Sequence, residues 1–442
     1  MSRERGRLNR LAPEIDLVRS SAVVFAGFSV ARLLGFLFSV AAARLLAPSD
    51  FGRLTYALAL STIASVLLST SPVGLSRFLA RNSDDRTEQQ SYLSNWVAFI
   101  GVLLVFSIVA AIVISVLGGL DAWMTVGVGA NVVGITVLET YREVQRGLGR
   151  FGAMTWFYGL ANLLQLVAII GAAAMGWRSP SLFVIIYGGS SLVAWLVIER
   201  MAPISLGFRI TSLDRQRLVA VVRFTMPLLV QSVFFAVWFS ADLLMVQWTM
   251  QNTATGNYAA AKTLANALWL GPTAIGMALV PRVARLPEPE LRRYAVGVLA
   301  LATLLTAPAA AAMWMVGGPL IAFAFGDHYP AAAGPLGILA VGMGLHGLYI
   351  ILFNLWIGLG RPLVNMVSAA AGMFCTVLAA VVLVPRFGLL GAATSFTLGS
   401  AIRLAVIGAF TVWVLGVRTT SDREPWLDGM VAPGATEVAA EV

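Results

Sequence analysis

Twelve apolar segments of about 20 residues, the length that a helix needs to cross about 30 Å of hydrocarbon, follow one another along the chain. They centre near residues 33, 65, 104, 132, 163, 192, 236, 268, 303, 345, 373 and 402. The connectors between them are short and contain turn-forming residues, such as Gly118-Gly119 and Ser179-Pro180. The pattern therefore predicts an all-α integral membrane protein with twelve transmembrane helices.

The composition agrees with a chain that is mostly surrounded by lipid. Of its 442 residues, 59% are hydrophobic and only 12% are charged, whereas soluble proteins carry about 25% charged residues. A net charge of +9 would suggest a nucleic-acid partner for a soluble protein, but here we expect anionic lipid headgroups instead. The single cysteine, Cys375, excludes an internal disulfide. Without a phosphate-binding loop or a His/Cys cluster, the sequence predicts no metal and no cofactor.

The basic residues are distributed unequally between alternate connectors. If the N-terminus is cytoplasmic, 23 of the 30 basic residues lie on the cytoplasmic side and four lie on the opposite side. Cytoplasmic connectors of membrane proteins carry an excess of lysine and arginine, so this split predicts that both termini are cytoplasmic. The three remaining basic residues lie inside predicted spans and are Arg32, Lys262 and Arg403.

The sequence repeats at about half its length. Residues 147–150 (GLGR) recur as residues 358–361. In both cases the segment lies between the fourth and the fifth span of its half. More weakly, Asp50-Phe51-Gly52 opens the second span as residues 255–258 (TGNY) open the eighth. Such a repeat predicts two pseudo-symmetric six-helix bundles that are related by an axis along the membrane normal. The predicted organisation is a cytoplasmic tail (1–19), an N-terminal half (20–202), a cytoplasmic linker with an amphipathic helix (203–223), a C-terminal half (224–416) and a disordered cytoplasmic tail (417–442).

Charged side chains near the bilayer centre are costly and are therefore functional candidates. Asp242 and Lys262 lie ten residues on either side of Asn252, the midpoint of their connector. In an antiparallel hairpin they would lie at the same depth, so we expect them to form an ion pair. The pair either takes part in substrate binding or only neutralises itself between two helices.

Arg32 and Arg403 have no carboxylate close to them in the sequence. A lone guanidinium inside a span suggests an anion or a water-filled cavity, although for Arg403 a buried acceptor on another helix is the alternative. We take Arg32, Asp242, Lys262 and Arg403 as candidate substrate-binding residues of a central cavity.

Glu139 and His346 are candidates for proton or cation coupling. Glu139 opens a charged ladder with Arg142 and Glu143 at the cytoplasmic end of the fourth span, for which a solvated helix end is the alternative. His346 lies in the middle of the tenth span and could titrate, or it could only form an interhelical hydrogen bond. No candidate catalytic residue emerges, and neither a catalytic carboxylate nor a large external loop supports a membrane glycosyltransferase or polymerase. We therefore expect the chain not to be an enzyme.

Three segments carry a resemblance to a known family. Residues 44–52 (RLLAPSDFG) resemble the R-x-L-x-P-x-D-F/Y-G signature of Wzx-type polysaccharide flippases, which belong to the MOP superfamily. Residues 256–261 (GNYAAA) resemble the segment that opens the second half of these proteins, and residues 325–332 (FGDHYPAA) resemble their loop before the tenth span. The resemblance extends from residue 18 to residue 416 and implies a fold of the MOP/MATE type.

The resemblance also implies a function. It implies the flipping, by alternating access, of a polyprenyl-pyrophosphate-linked oligosaccharide from the cytoplasmic to the outer leaflet of a bacterial inner membrane, for surface polysaccharide such as O-antigen, capsule or exopolysaccharide. The implied partners are this lipid-linked substrate, membrane lipids, glycosyltransferases and a polysaccharide polymerase. By position, Arg32, Asp242 and Lys262 could match the charged cavity residues of the family. Lipid II flippases of the superfamily usually carry two further spans that this chain lacks.

A cation-coupled exporter of drugs or other small molecules, from the same superfamily, is the alternative. Such an exporter is expected to have an acidic cavity, whereas the basic residues within the predicted spans outnumber the acidic ones, Asp242 and Glu139.

Overall fold

The computed structural model describes residues 26–204, 206, 213–283, 288–359, 361 and 363–417, and these residues are almost entirely helical. The tails predicted at residues 1–19 and beyond residue 417 lie outside this range. The helices are α1 (Ala26–Leu45), α2 (Pro48–Thr70), α3 (Pro72–Arg81), α4 (Arg86–Leu117), α5 (Ala122–Gly147), α6 (Phe151–Ala174), α7 (Pro180–Met201), α8 (Arg215–Ala265), α9 (Leu270–Val283), α10 (Glu288–Met315), α11 (Gly317–Phe325), α12 (Ala333–Gly358) and α13 (Leu363–Val417). Short 3₁₀ helices, Asn266–Trp269 and Pro330–Ala332, precede α9 and α12.

The prediction of a multi-pass membrane protein is confirmed. The described residues contain ten helical stretches that are long and apolar enough to cross a membrane. Two of them, Arg215–Thr273 with 59 residues and Leu363–Val414 with 52 residues, are long enough to cross it twice. Counting each of these as two spans would restore the predicted twelve.

Both long stretches contain one residue at which the chain turns. The backbone leaves the helical conformation at Gln251 (φ 65°, ψ −167°) in α8 and at Gly388 (φ 57°, ψ −131°) in α13. Only glycine adopts such positive φ angles at little cost, so Gly388 suits its position and Gln251 is held in a strained conformation.

The helix starts follow from local sequence. The carboxylate of Asp85 accepts hydrogen bonds from the backbone N–H groups of Thr87 and Glu88, and Asp121 accepts one from Met124. These carboxylates satisfy N–H groups that have no partner within α4 and α5. Proline opens α3 and α7, where its missing N–H costs nothing.

The described residues divide into two compact units. The first contains residues up to Leu46 together with Leu60–Leu229, and the second contains Ala47–Ala59 and the chain from Val230 onward. The start of α2 therefore belongs to the second unit and its remainder to the first. In the same way α8 begins in the first unit and continues in the second.

Small residues allow the helices of the first unit to pack closely. A Cβ atom at Gly134 of α5 would lie 2.5 Å from the carbonyl oxygen of Gly188 of α7, and a Cβ atom at Gly188 would collide with the backbone of Asn131. Only glycine lets two helix backbones approach this closely. Nearby, Tyr141, Phe157 and Ile198 form a buried apolar core between α5, α6 and α7.

The second unit has a larger apolar core. Residues of α9, α10, α12 and α13 contribute to it, among them Leu279, Leu355, Trp356 and Ile407. The two arms of α13 also approach each other closely, because Gly399 leaves room for the side chain of Thr376 and Gly372 leaves room for the side chain of Arg403.

Of the linker 203–223, for which an amphipathic helix is predicted, the structure describes residues 203–204, 206 and 213–223. From Arg215 onward this segment forms the first turns of α8, which continues through Pro227 into its apolar part. Arg217 is held there by Glu88, with Nη2 2.6 Å from Oε1, and the backbone N–H of Asp214 donates to Asn95. Part of the polar surface that suggested an interfacial helix therefore contacts α4.

Candidate functional site

The predicted ion pair between Asp242 and Lys262 is confirmed. Lys262 Nζ lies 2.7 Å from Oδ1 and 2.8 Å from Oδ2 of Asp242. The chain turns at Gln251, nine residues after Asp242 and eleven before Lys262, so the two arms of α8 bring both side chains to the same level. Both residues are buried in the second unit, at 0% and 5% exposure.

Further contacts satisfy both members of this pair. The hydroxyl group of Tyr258 donates to Oδ2 of Asp242 at 2.6 Å, and the backbone N–H of Leu243 donates to Oδ1 at 2.8 Å. Lys262 also donates to the carbonyl oxygen of Phe239 at 2.5 Å and lies 4.8 Å from the ring centre of Phe396. Asp242 therefore accepts hydrogen bonds at both oxygens and has little capacity to balance a second cation.

Arg403, on the second arm of α13, is surrounded by aromatic rings. Its guanidinium carbon lies 4.0 Å from the ring centres of Trp238 and Tyr349 and 5.7 Å from that of Phe235. The residue is 2% exposed. Its side chain forms a hydrogen bond with Tyr349 of α12, which is a buried acceptor on another helix. Among the described residues, neither Nε nor Nη1 of Arg403 has a hydrogen-bond partner.

His346 of α12 belongs to the same aromatic cluster. Its ring centre lies 4.6 Å from that of Trp238 and 5.1 Å from that of Trp269, and the residue is 1% exposed. The interhelical hydrogen bond considered for this histidine is absent, since neither ring nitrogen has a hydrogen-bond partner within the described part of the chain.

In the first unit, Glu139 is part of a buried polar network. It accepts a short hydrogen bond from the hydroxyl group of Tyr158 on α6, and its Oε2 lies 2.6 Å from Nη2 of Arg142. Arg142 also contacts Glu143 at 2.9 Å and donates to the Tyr158 hydroxyl at 3.0 Å. Glu139 is 7% exposed and Glu143 only 1%. The alternative of a solvated helix end is therefore wrong, because α6 and α7 pack over this part of α5.

Arg32 differs from the other candidates because it is exposed. It lies on α1, near enough to Tyr158 of α6 and Tyr187 of α7 to interact with both electrostatically. Phe28 and Phe38 pack on the same two tyrosines, with ring centres 5.4 and 5.3 Å apart. Tyr158 therefore connects the surroundings of Arg32 with the Glu139 network.

The structure places the predicted residues in both units. Arg32 and the Glu139 network lie in the first unit, and the Asp242–Lys262 pair and Arg403 with His346 lie in the second. Within the second unit the two groups share one aromatic cluster, because Phe396 packs on both Lys262 and Trp238. The sequence reasoning missed the aromatic partners. Tyr258 lies four residues before Lys262, and Trp238 lies four residues before Asp242. Residues four apart lie on the same face of a helix, so this spacing could have predicted both aromatic residues as neighbours of the pair.

The three segments that carried the family resemblance pack together in the second unit. A Cβ atom at Gly52 would collide with the carbonyl oxygen of Asn252, and one at Gly256 would collide with that of Pro48. The ring of Phe51 lies 5.9 Å from that of Tyr329, and the backbone N–H of Ala331 donates to Asn257 at 3.2 Å. The motifs thus meet where the start of α2 crosses the second arm of α8.

The fold is similar to the folds of several membrane transporters of known structure. The chain is similar to an inward-facing multidrug resistance MATE family transporter of the MOP superfamily (TM-score 0.70, 13% identity), covering 90% of this chain and 100% of that one. It is also similar to the lipid II flippase MurJ in an inward closed conformation (TM-score 0.65, 12% identity, 94% and 95% covered). A MOP superfamily transporter from Pyrococcus furiosus gives a TM-score of 0.63 at 13% identity, with 91% and 96% covered. The predicted MOP/MATE-type fold is confirmed.

The sequence itself identifies the family. Residues 17–287, more than half of the chain, match the model of the polysaccharide biosynthesis protein family, and the chain belongs to that family. No curated protein matches the sequence. The family predicted from the three motifs is therefore confirmed.

Proposed function

We propose that this protein flips a polyprenyl-pyrophosphate-linked oligosaccharide from the cytoplasmic to the outer leaflet of a bacterial inner membrane, with both termini in the cytoplasm. The observation that carries the proposal is the match of residues 17–287 to the polysaccharide biosynthesis family. The transporter fold supports it, because polysaccharide synthesis that starts on one side of a membrane and ends on the other needs a carrier for the lipid-linked intermediate. In this role the protein is a transporter and not an enzyme.

Arg32 is the residue that we assign to the substrate headgroup. It is the exposed member of the three basic residues within the spans, and a guanidinium binds phosphate oxygens in a bidentate manner. Lys262 and Arg403 are buried in the second unit. We therefore assign Asp242 and Lys262 to the stability of the second unit, with contact to substrate only after a conformational change.

Glu139 is the residue that we assign to coupling. A buried carboxylate in contact with Tyr158 and Arg142 responds to protonation, because loss of its charge leaves Arg142 with fewer partners. An anionic substrate would in addition be exported with a gain of about 2.3 kcal/mol per charge per 100 mV of inside-negative potential. Glycosyltransferases and a polymerase would act before and after the flipping step.

A strain that lacks the gene tests this function. We expect the deletion strain to accumulate lipid-linked oligosaccharide in the inner leaflet and to lose its surface polysaccharide, and we expect the wild-type gene to restore both. Arg32→Ala should restore little polysaccharide, Arg32→Lys should restore part of it, and Arg178→Ala, which changes an exposed arginine outside the spans, should restore all of it. Normal surface polysaccharide in the deletion strain would refute the proposal.

Export of small molecules is the second candidate, favoured by the similarity in fold to a multidrug resistance transporter. Cationic drugs need an acidic site, whereas Asp242 is neutralised by Lys262 and Glu139 by Arg142. We therefore expect the deletion strain to keep its normal resistance to cationic drugs. Increased sensitivity to them, with intact surface polysaccharide, would favour the second candidate.

A further inference from the structure

The second unit holds a buried cation, Arg403, with which no carboxylate of the described residues forms an ion pair. Arg403 is 2% exposed, and its side chain crosses the first arm of α13 at Gly372, where any Cβ atom would collide with it. The sequence thus provides a specific space for this arginine. Its guanidinium carbon lies against the rings of Trp238 and Tyr349.

The polar atoms around this arginine are mostly donors. Within the described residues, Nε and Nη1 of Arg403, Nε1 of Trp238 and both ring nitrogens of His346 lack hydrogen-bond partners. Arginine and tryptophan side chains only donate, and a neutral histidine donates from one nitrogen. Tyr349 is a hydrogen-bond partner of Arg403, but Nε and Nη1 of Arg403 have none among the described residues. Buried donors of native proteins almost always have an acceptor, so these donors indicate a further acceptor.

The helices around Arg403 offer no free carboxylate within the described part of the chain. Asp242 is occupied by Lys262, Tyr258 and the backbone N–H of Leu243. The sequence from residue 331 to 417 contains no acidic residue, and Asp242 is the only one from residue 230 to 283. An unpaired buried charge is strongly unfavourable, and contact with aromatic rings compensates only a part of that cost.

We propose that the second unit binds one small monovalent anion, of the size of chloride, at Arg403, with Trp238 and His346 as further donors. A small anion fits because aromatic rings pack 4.0 Å from the guanidinium carbon on Trp238 and on Tyr349, which leaves little space for a phosphate or a sugar acid. Neutral water would satisfy the N–H groups but would leave the charge uncompensated. The anion balances Arg403 as Asp242 balances Lys262. This inference does not depend on the identity of the transported substrate.

The test uses the purified full-length protein in detergent at constant ionic strength. A ligand that binds only the folded state raises the thermal midpoint, so replacing gluconate by chloride or bromide should raise the midpoint of the wild-type protein by at least about 2 °C. Arg403→Gln removes the charge and should abolish this difference. Arg178→Gln removes an exposed cation outside the spans and should retain it.

Crystals of the wild-type protein grown with bromide provide a second measurement that does not need the variant to fold. We expect an anomalous bromide peak within hydrogen-bond distance of Arg403. A water molecule without bromide at this position, or equal midpoints of the wild-type protein in gluconate and chloride, would overturn the proposal. An equal response to chloride in Arg403→Gln would overturn it as well, because the anion would then bind elsewhere.

Discussion

Lys262 and Arg403 show how two buried cations of one unit are accommodated differently. Lys262 has a carboxylate, a carbonyl oxygen and two aromatic rings as partners, whereas Arg403 contacts aromatic rings and forms a hydrogen bond with Tyr349. The charges of Asp242 and Lys262 therefore neutralise each other, and removal of either residue leaves a buried charge without its counter-ion.

We expect Asp242→Asn and Lys262→Gln each to lower the free energy of unfolding by about 3–5 kcal/mol, because each leaves one buried charge unpaired. The double variant should be more stable than either single variant, since it removes both charges. Thermal unfolding of the purified proteins measures these differences.

The partly exposed pair of Arg217 and Glu88 provides the control. Its side chains are 32% and 34% exposed, and such pairs contribute only about 0–1 kcal/mol. Arg217→Gln should therefore have a small effect. If Lys262→Gln lowered the free energy of unfolding as little as Arg217→Gln does, the Asp242–Lys262 ion pair would not contribute the expected stability.

At the scale of the elements, the interruptions of α8 and α13 decide which residues meet. Gln251 and Gly388 both adopt positive φ angles, and the turn at Gln251 brings Asp242 to Lys262. The start of α2 then packs on the arm that follows Gln251, with Gly52 and Gly256 at the crossing. Two backbone conformations and two glycines thus determine the geometry of this part of the second unit.

The backbone conformations predict opposite effects of glycine and alanine. Gln251→Gly should raise the free energy of unfolding by about 1 kcal/mol, because glycine removes part of a strain of about 1–3 kcal/mol. Gly388→Ala should lower it by a similar amount, because alanine would be strained at φ 57°. Thermal midpoints in detergent measure both changes, and a stabilising Gly388→Ala would contradict the turn.

The glycine crossing predicts that Gly52→Ala and Gly256→Ala each lower the free energy of unfolding by about 1–3 kcal/mol, because their Cβ atoms would collide with backbone carbonyl groups and force the helices apart. Gly408→Ala is the matched control, since nothing lies within 4 Å of its added Cβ atom. The control should be neutral or slightly stabilising. Equal thermal midpoints of Gly52→Ala and Gly408→Ala would show that the crossing is not close.

At the scale of the whole molecule, the two units exchange parts of their helices. Residues 47–59 of α2 belong to the second unit, and residues 215–229 of α8 belong to the first. The chain therefore does not divide at one position between two independent halves. The distribution of basic residues, 23 on one predicted side of the membrane and four on the other, is also a property of the whole chain. The side to which each connector is assigned depends on every span before it.

This distribution predicts the orientation in the membrane, which reporter fusions can measure. Fusion of alkaline phosphatase after Gly119 or Gly176 should give an active enzyme, because both connectors are predicted to be extracytoplasmic. Fusion after Gly149 should give inactive phosphatase, and a green fluorescent protein should be fluorescent there. Active phosphatase at Gly149 would contradict the predicted orientation and, with it, the proposed direction of export.

The sequence alone determined the helical membrane fold, the family and one pair of the site. Apolar runs specify helices because lipid leaves no other way to satisfy the backbone. Asp242 and Lys262 were predictable as partners because they flank one turn, so their meeting depends only on local geometry.

The tertiary structure decided the rest, because contacts between distant helices depend on how each helix is rotated and how closely it approaches. The position of Arg403 among Trp238 and Tyr349 and the contact of Glu139 with Tyr158 are of this kind. No spacing along the chain relates these residues. The burial of Glu143, the continuation of the linker into α8 and the meeting of the three family motifs likewise result from packing.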